Sequence, residues 1–340
     1  MEAANLKIAV ALVLAVMLLV SIFVVRYALP APPATDVPEI FKLTDWHHYH
    51  NYTEVVNLLL ALNETHSEVV DVFPIGQSYY QPIYCVRLTN ESDQRRKPEV
   101  LFVGYFHARE QITSELTLYF VAYAATNYGL NRTVTDLLDK CEVYVVVALN
   151  VDGFKLFARN DKARYNAGNV DLNRNFGYKW GANGSIQAFN ANCGYKPFSE
   201  PETQAVRNLV LAHNFTYSLC FHSGTELILY PWGYTREPAP DQQRFIEIAK
   251  GLSKAAGGVT YEQSSGLYIT RGDSDDWLYG EIGILALTCE IYGLGMFRDD
   301  EENGLRYQFN PVPEHIMWTL EDWLPVFFHI LGLAANEPQE

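Results

Sequence analysis

The stretch EVLFVGYFHARE (residues 99–110) joins a short apolar run to two side chains that could bind a metal ion. The run 99–106 is rich in Val, Leu, Phe and Tyr, as is typical of a strand covered on both faces. His107 and Glu110 follow it directly, and a helical pattern covers 113–129. In sheets whose strands alternate with helices, functional side chains gather where strands end. The stretch therefore indicates an α/β fold and a position for its site.

The rest of the chain repeats this alternation. Segments with helical spacing of apolar residues lie between or beside further strand-like runs. The runs are 141–151, 217–223, 226–233 and 284–293, and the helical segments are 51–66, 199–214, 241–258 and 313–333. The pattern predicts a single-domain α/β sandwich over residues 45–335, with a mixed, mainly parallel central sheet flanked by helices.

Composition limits the partners of this domain. The chain has 340 residues and a formal net charge of −15, and it contains no block of basic residues. These features argue against nucleic acid as a partner. The five cysteines have no CxxC spacing, so cysteine ligation of a metal ion is not indicated.

The N-terminal segment has a membrane-like composition. Residues 8–25 carry no charge and would span about 27 Å as a helix, close to the thickness of a bilayer core. A proline-rich linker, 30–44, follows. We expect residues 1–29 to be a transmembrane signal anchor that holds the protein at the cell membrane, with the domain outside the cytoplasm. The alternative is a cleaved signal peptide, which would give a secreted protein.

A third candidate ligand comes from another strand-like run. His222 lies at the end of 217–223. Two histidines and one carboxylate leave one tetrahedral position open, which is the pattern of catalytic zinc rather than structural zinc. Nitrogen and oxygen ligands also suit a hydrolytic zinc ion. Glu290 ends the run 284–290 and is a candidate base, although a glutamate there could simply begin a loop.

Charged and amide side chains near residue 170 suit recognition of a carboxylate. Arg164 is a candidate polarising cation, and DLNRNF (171–176) contains Asn173 and Arg174 side by side. A planar guanidinium with a neighbouring amide can bind a carboxylate through two hydrogen bonds. The alternative for this segment is an ordinary polar turn.

Six motifs together resemble one enzyme family. They are HARE (107–110), NVDGF (150–154), VDLNRNFGYKW (170–180), FHSGTELILYPWGY (221–234), SSGLYITRGDSDDW (264–277) and LTCE (287–290). From about residue 46 to about 333 the chain resembles a zinc carboxypeptidase of the carboxypeptidase A, B and T type, nearest the carboxypeptidase T branch. One departure is Val151, where the family usually has proline.

The resemblance implies a zinc enzyme with one ion per chain. Its zinc ligands fall on His107, Glu110 and His222, and its general base falls on Glu290. The arginine that stabilises the oxyanion falls on Arg164. Residues 45–335 would then be the catalytic domain of an exopeptidase that removes the C-terminal residue of peptides or proteins.

The resemblance also implies how substrate is held. Asn173 and Arg174 match the pair that binds the terminal carboxylate, and Arg109 matches a residue of an outer subsite. Tyr268 matches a tyrosine that closes over bound substrate. Asp171 matches a carboxylate that orients the first zinc histidine.

Asp275 is the candidate determinant of which C-terminal side chain of the substrate is preferred. In the family the residue at this position lies at the floor of the pocket for the C-terminal side chain, and aspartate there accompanies a preference for lysine and arginine. A cationic side chain would supply the partner that a buried carboxylate needs. The alternative is that Asp275 faces solvent or pairs with Arg271 and leaves a broad pocket.

Two other functions fit parts of the pattern. A zinc hydrolase of the same fold could act on cell-wall peptides or on small acylated amino acids. A non-catalytic relative that binds peptides would be expected to lack a ligand or the base, and this sequence has both.

Overall fold

The computed structural model describes residues 46–160, 163–181, 192–293 and 306–337. Its strands are β1 (Val70–Gln77), β2 (Pro82–Leu88), β3 (Glu99–Val103), β4 (Glu142–Val146), β5 (Phe215–His222), β6 (Thr225–Tyr230), β7 (Tyr261–Gln263) and β8 (Leu285–Tyr292). Its α-helices are α1 (Tyr52–Thr65), α2 (Gln111–Asn127), α3 (Arg132–Leu138), α4 (Gly153–Phe157), α5 (Pro201–Ala212), α6 (Gln242–Ala255), α7 (Ser264–Leu267), α8 (Ser274–Trp277), α9 (Arg306–Phe309) and α10 (Ile316–Ala334).

All eight strands belong to one mixed sheet with the order β1-β2-β4-β3-β5-β8-β6-β7. The pairs β3–β4, β3–β5, β5–β8 and β6–β7 are parallel, and the other three pairs are antiparallel. The predicted α/β fold with a mixed sheet is therefore confirmed. Sequence analysis did not predict β1, β2 and β7, which lie toward the two edges of the sheet.

The core forms where α10 crosses the central strands. Phe327 of α10 stacks on Phe120 of α2, with ring centroids 4.2 Å apart, and also packs against Phe102 of β3 and Phe221 of β5. All four rings are fully buried. This apolar layer packs α10 and α2 against the central strands, whose ends carry the candidate site.

The turn after β3 brings the first candidate ligands to the end of the sheet. A Cβ atom on Gly104 would lie 2.9 Å from the carbonyl oxygens of Thr113 and Val147, so only glycine allows this close approach. Tyr105 then adopts a positive φ of 55°. The chain therefore turns sharply from β3 into α2, and His107 and Glu110 lie in this turn.

The predicted membrane anchor, residues 1–29, and the linker, 30–44, lie outside the described residues. Within the described ranges, no helix combines the length and the apolar character needed to cross a bilayer.

Candidate metal centre and active site

Three buried side chains converge at the ends of β3 and β5. His107 Nδ1 lies 2.8 Å from Glu110 Oε1, and His222 Nδ1 lies 3.0 Å from Glu110 Oε2. The two Nδ1 atoms are 3.2 Å apart. Each of the three residues is at most 3 % exposed. The structure therefore brings together the three predicted zinc ligands, although they lie up to 115 positions apart in the chain.

This group fits a zinc ion by chemistry and by spacing. With bonds of about 2.0–2.1 Å, a tetrahedral zinc ion separates its ligand atoms by about 3.3 Å. The observed separations of 2.8 to 3.2 Å are slightly shorter. Two imidazoles and one carboxylate leave a fourth position open. These three residues form the only such cluster of His, Cys, Asp and Glu found among the described residues.

Asp171 fixes the orientation of His107 by contacting Nε2, the ring nitrogen that does not face Glu110. His107 Nε2 lies 3.1 Å from Asp171 Oδ1, and Arg164 Nε donates to Asp171 Oδ2 at 2.8 Å. Burial opposes ionisation of Asp171, but Arg164 and His107 outweigh it and hold the pKa of Asp171 well below its usual value. The charged carboxylate accepts the Nε2 proton of His107, which leaves Nδ1 with a lone pair for a metal ion.

Arg164 contacts this network and also lines the cavity. Its Nη1 lies 3.8 Å from Glu110 Oε1. Burial opposes the charge of Arg164, but Asp171 and Glu110 outweigh it, so the pKa of the guanidinium is raised. Arg164 is therefore a fixed cation beside the candidate metal centre.

Glu290 faces the same space from β8. In the β5–β8 register its Cα pairs with that of His222. Its Oε2 is buried and has no hydrogen-bond partner among the described residues. Burial raises the pKa of Glu290 to about 7. A carboxyl with a pKa near neutrality can accept a proton and later return it.

A cavity of about 890 Å³ opens over these groups. Asn173, Arg174 and Tyr268 line it. Arg174 is 2 % exposed, and within the described residues its guanidinium forms no ion pair. Its Cζ lies 5.9 Å from the centre of the Tyr268 ring. A buried guanidinium beside an amide is a suitable receptor for a carboxylate.

Asp275 is a buried residue that also lines this cavity. It is 4 % exposed, and its Oδ2 accepts a hydrogen bond from Thr288 Oγ1 at 2.6 Å. Its Oδ1 has no partner among the described residues, and the ion pairs of this part of the chain include none with Arg271. Burial raises the pKa of Asp275 to about 7.

Arg109 lies on another wall of the cavity. Its Cζ is 4.0 Å from the centre of the Phe309 ring, and its carbonyl oxygen accepts from Asn310 Nδ2. The stacking fixes the guanidinium where it lines the cavity. The structure therefore brings every residue of the predicted site to this cavity or, for Asp171, directly behind it.

Sequence analysis missed three residues that contact the site. Thr288 bonds to Asp275, Ser274 bonds to Asn173, and Phe309 stacks on Arg109. Thr288 precedes Glu290 by two positions on one strand, so strand alternation could have placed both on one face. Phe309 follows no apolar strand and belongs to no motif, so its sequence carried no such signal.

Comparisons with known proteins agree with this arrangement. The sequence model of the zinc carboxypeptidase family matches residues 55–323. Carboxypeptidase O of Bos taurus is 32 % identical over 281 residues, which cover 76 % of this chain and 74 % of that protein. Mast cell carboxypeptidase A of Mus musculus is 31 % identical over 257 residues, which cover 69 % of this chain and 61 % of that protein. The chain thus spans about three fifths of the length of the mouse relative.

A solved structure shows the same fold. Bovine thrombin-activatable fibrinolysis inhibitor, in complex with tick carboxypeptidase inhibitor, superposes with a TM-score of 0.72 and 26 % sequence identity. The superposition covers 86 % of this chain and 99 % of that chain.

Proposed function

Because the chain belongs to the zinc carboxypeptidase family, we propose that it is a metallocarboxypeptidase that removes the C-terminal residue of peptides or proteins. One observation carries this proposal: a possible zinc site, a carboxyl with a pKa near 7 and a buried arginine without an ion pair among the described residues line one cavity. Zinc binding, activation of water and capture of a terminal carboxylate need these three elements together.

His107, Glu110 and His222 would hold the zinc ion. When bound, zinc lowers the pKa of a water molecule and polarises a carbonyl group. Glu290 takes a proton from the attacking water at its carboxylate and later passes that proton to the leaving amine. Burial raises the pKa of Glu290, which favours uptake of this proton.

Arg164 stabilises the oxygen of the scissile carbonyl as negative charge develops on it. Asp171 accepts from Nε of this guanidinium and so fixes its position, while an Nη atom lies close to Glu110. A preorganised donor of this kind contributes about 3 kcal/mol to transition-state stabilisation.

Asn173 and Arg174 select a free C-terminus. Arg174 is buried and has no carboxylate partner among the described residues. A terminal carboxylate supplies that partner, whereas an internal peptide bond leaves the guanidinium buried and unpaired. Tyr268, which lies beside Arg174, would cover the bound residue.

The preferred C-terminal residue would be lysine or arginine. Asp275 is buried and lines the cavity, and one of its oxygens lacks a partner among the described residues. A cationic side chain that reaches this oxygen forms a charge-assisted hydrogen bond, whereas an apolar side chain leaves the oxygen without a partner.

A test compares peptides that differ only at the C-terminal group. A peptide with a free carboxylate should be cleaved at least about 100-fold faster, by kcat/KM, than the same peptide with a C-terminal amide, because the buried Arg174 loses its charged partner. Mass spectrometry should show loss of one residue from the free peptide. Equal cleavage of the two peptides would refute the exopeptidase function.

We further propose that residues 1–29 anchor the catalytic domain, 45–335, to the outer side of the cell membrane. The support is the uncharged run at 8–25 and the proline-rich linker after it. Full-length protein should sediment with membranes after a high-salt wash, and a variant without residues 1–29 should remain in the supernatant. Recovery of the full-length protein in the supernatant would contradict the anchor.

A further inference from the structure

The orientation of the Asn173 amide decides whether this side chain can bind a carboxylate. A carboxamide has an oxygen that only accepts hydrogen bonds and a nitrogen that only donates them. A terminal carboxylate is itself an acceptor, so Asn173 must present Nδ2 to it. The two ends of the amide have nearly the same shape, and the surrounding hydrogen bonds must therefore select one orientation.

Ser274 supplies two hydrogen bonds that select this orientation. Its backbone N–H donates to Asn173 Oδ1 at 2.9 Å, and its Oγ, which also lies 3.4 Å from Cys220 Sγ, lies 3.0 Å from the same oxygen. Only oxygen can accept from the backbone N–H, so Oδ1 is the end that faces Ser274. Nδ2 then faces the opposite way, 3.1 Å from His222 Nε2.

The backbone around Ser274 has little room to shift. Phe176 N–H donates to the carbonyl oxygen of Gly272 at 2.9 Å. Gly272 has a positive φ of 70°, and a Cβ atom there would lie 2.6 Å from the carbonyl oxygen of Arg174. The segment 272–274 is therefore packed directly against 173–176. Ser274 itself is 1 % exposed.

We infer that Ser274 is a positioning residue that holds the Asn173 amide with Nδ2 toward the terminal carboxylate of the substrate. Ser274 also precedes Asp275 in the short helix α8. The same turn of chain thus contacts the candidate carboxylate receptor and carries Asp275, which lines the cavity.

This inference rests on the proposed function, and its test separates the two. The probes are N-acetylarginine and N-acetylargininamide, which differ only at the terminal group, and their binding to the zinc-loaded protein is measured by calorimetry. The variants are Ser274→Ala and Ser274→Cys, the second of which keeps the size of the side chain but donates poorly. Ser265→Ala is the matched control, since Ser265 is also a buried serine but its hydroxyl contacts Gln263.

Both Ser274 variants should bind the free acid about threefold to tenfold more weakly, because one hydrogen bond to the amide is lost. Binding of the amide probe should change less than about twofold, as should binding of both probes to Ser265→Ala. For a peptide substrate ending in arginine, KM should rise more than kcat falls. Unchanged thermal unfolding midpoints and zinc content would show that the variants are folded.

Three outcomes are distinguishable. Unchanged binding of the acid in folded Ser274 variants overturns the role of Ser274. Equal weakening of the acid and the amide also overturns it, because the loss would then not involve the carboxylate. If the parent protein itself binds the acid no better than the amide, the carboxylate receptor of the proposed function fails instead.

Discussion

Replacing Asp275 by asparagine should abolish the preference for basic C-terminal residues. The change removes the charge and keeps the shape of a side chain that is 4 % exposed and lines the cavity. A lysine or arginine side chain in the variant pocket would bury its cation without a counter-charge. Loss of one member of a buried ion pair costs about 3–5 kcal/mol. Because each 1.36 kcal/mol changes a rate tenfold, kcat/KM for an arginine-ending peptide should fall about 200- to 5,000-fold.

The raised pKa of Asp275 gives a second test of its role, because it makes the substrate preference depend on pH. Burial raises this pKa to about 7, so the carboxyl is mostly protonated below pH 7 and mostly ionised above it. An arginine-ending peptide binds the ionised form, and a leucine-ending peptide binds the protonated form. The ratio of their kcat/KM values should therefore rise about tenfold per pH unit around pH 7. Titration of Glu290 affects both substrates equally and cancels in this ratio.

The assay uses otherwise identical peptides ending in Arg, Lys, Leu and Phe, between about pH 6 and 8. In Asp275→Asn the Arg-to-Leu ratio should be low and independent of pH. Asp273→Asn is the matched control: Asp273 lines the same cavity, but its oxygens already accept from Thr270 Oγ1 and from the Asp276 backbone N–H. That variant should keep the rise of the ratio with pH, displaced to lower pH because the charge of Asp273 contributes to the raised pKa of Asp275. A parent protein that favours Leu or Phe at pH 8, or a ratio that Asp275→Asn leaves unchanged, would refute the reasoning.

Three further perturbations probe the metal centre and the core. His107→Ala or His222→Ala should lose bound zinc and activity, whereas Glu290→Gln should keep zinc and lose turnover. Metal analysis measures the zinc content of each variant, and zinc loss in Glu290→Gln would contradict the role of Glu290 as a base rather than a ligand. Asp171→Asn should weaken zinc binding about 10- to 100-fold in competition with a chelator, because His107 loses its charged acceptor; unchanged affinity would exclude this orienting role. Phe327→Ala should lower the free energy of unfolding in urea by about 3–5 kcal/mol, and a loss below about 1 kcal/mol would contradict the core packing described above.

The candidate site could be predicted largely because its residues follow apolar strands. His107, His222 and Glu290 each come at or directly after a continuous apolar run, and the carboxyl ends of such strands meet at one edge of a sheet. The runs themselves were recognisable because β3, β5 and β8 are largely buried and mostly apolar. Position in the strand therefore predicted proximity in space.

The parts that sequence analysis missed lack this signal. β1 reads VDVFPIGQ and is mostly half-buried, so its apolar pattern is weak. β7 has three residues and no fully buried one. Ser274 could not be identified because its role depends on the side-chain orientation of Asn173, which is 101 positions away. Contacts of this kind arise from tertiary packing and leave no local pattern.

Activity of this site would require the correct register between β5 and β8, so activity reports whether the sheet has paired correctly. His222 and Glu290 occupy paired positions on these parallel strands. Side chains alternate between the two faces of a strand, so a slip by one residue would turn Glu290 to the opposite face from His222. In a chain with a mispaired sheet, Glu290 would not lie beside the metal ligand His222, even if the chain became compact. Turnover in a refolding mixture would therefore count only the molecules whose strands have paired correctly.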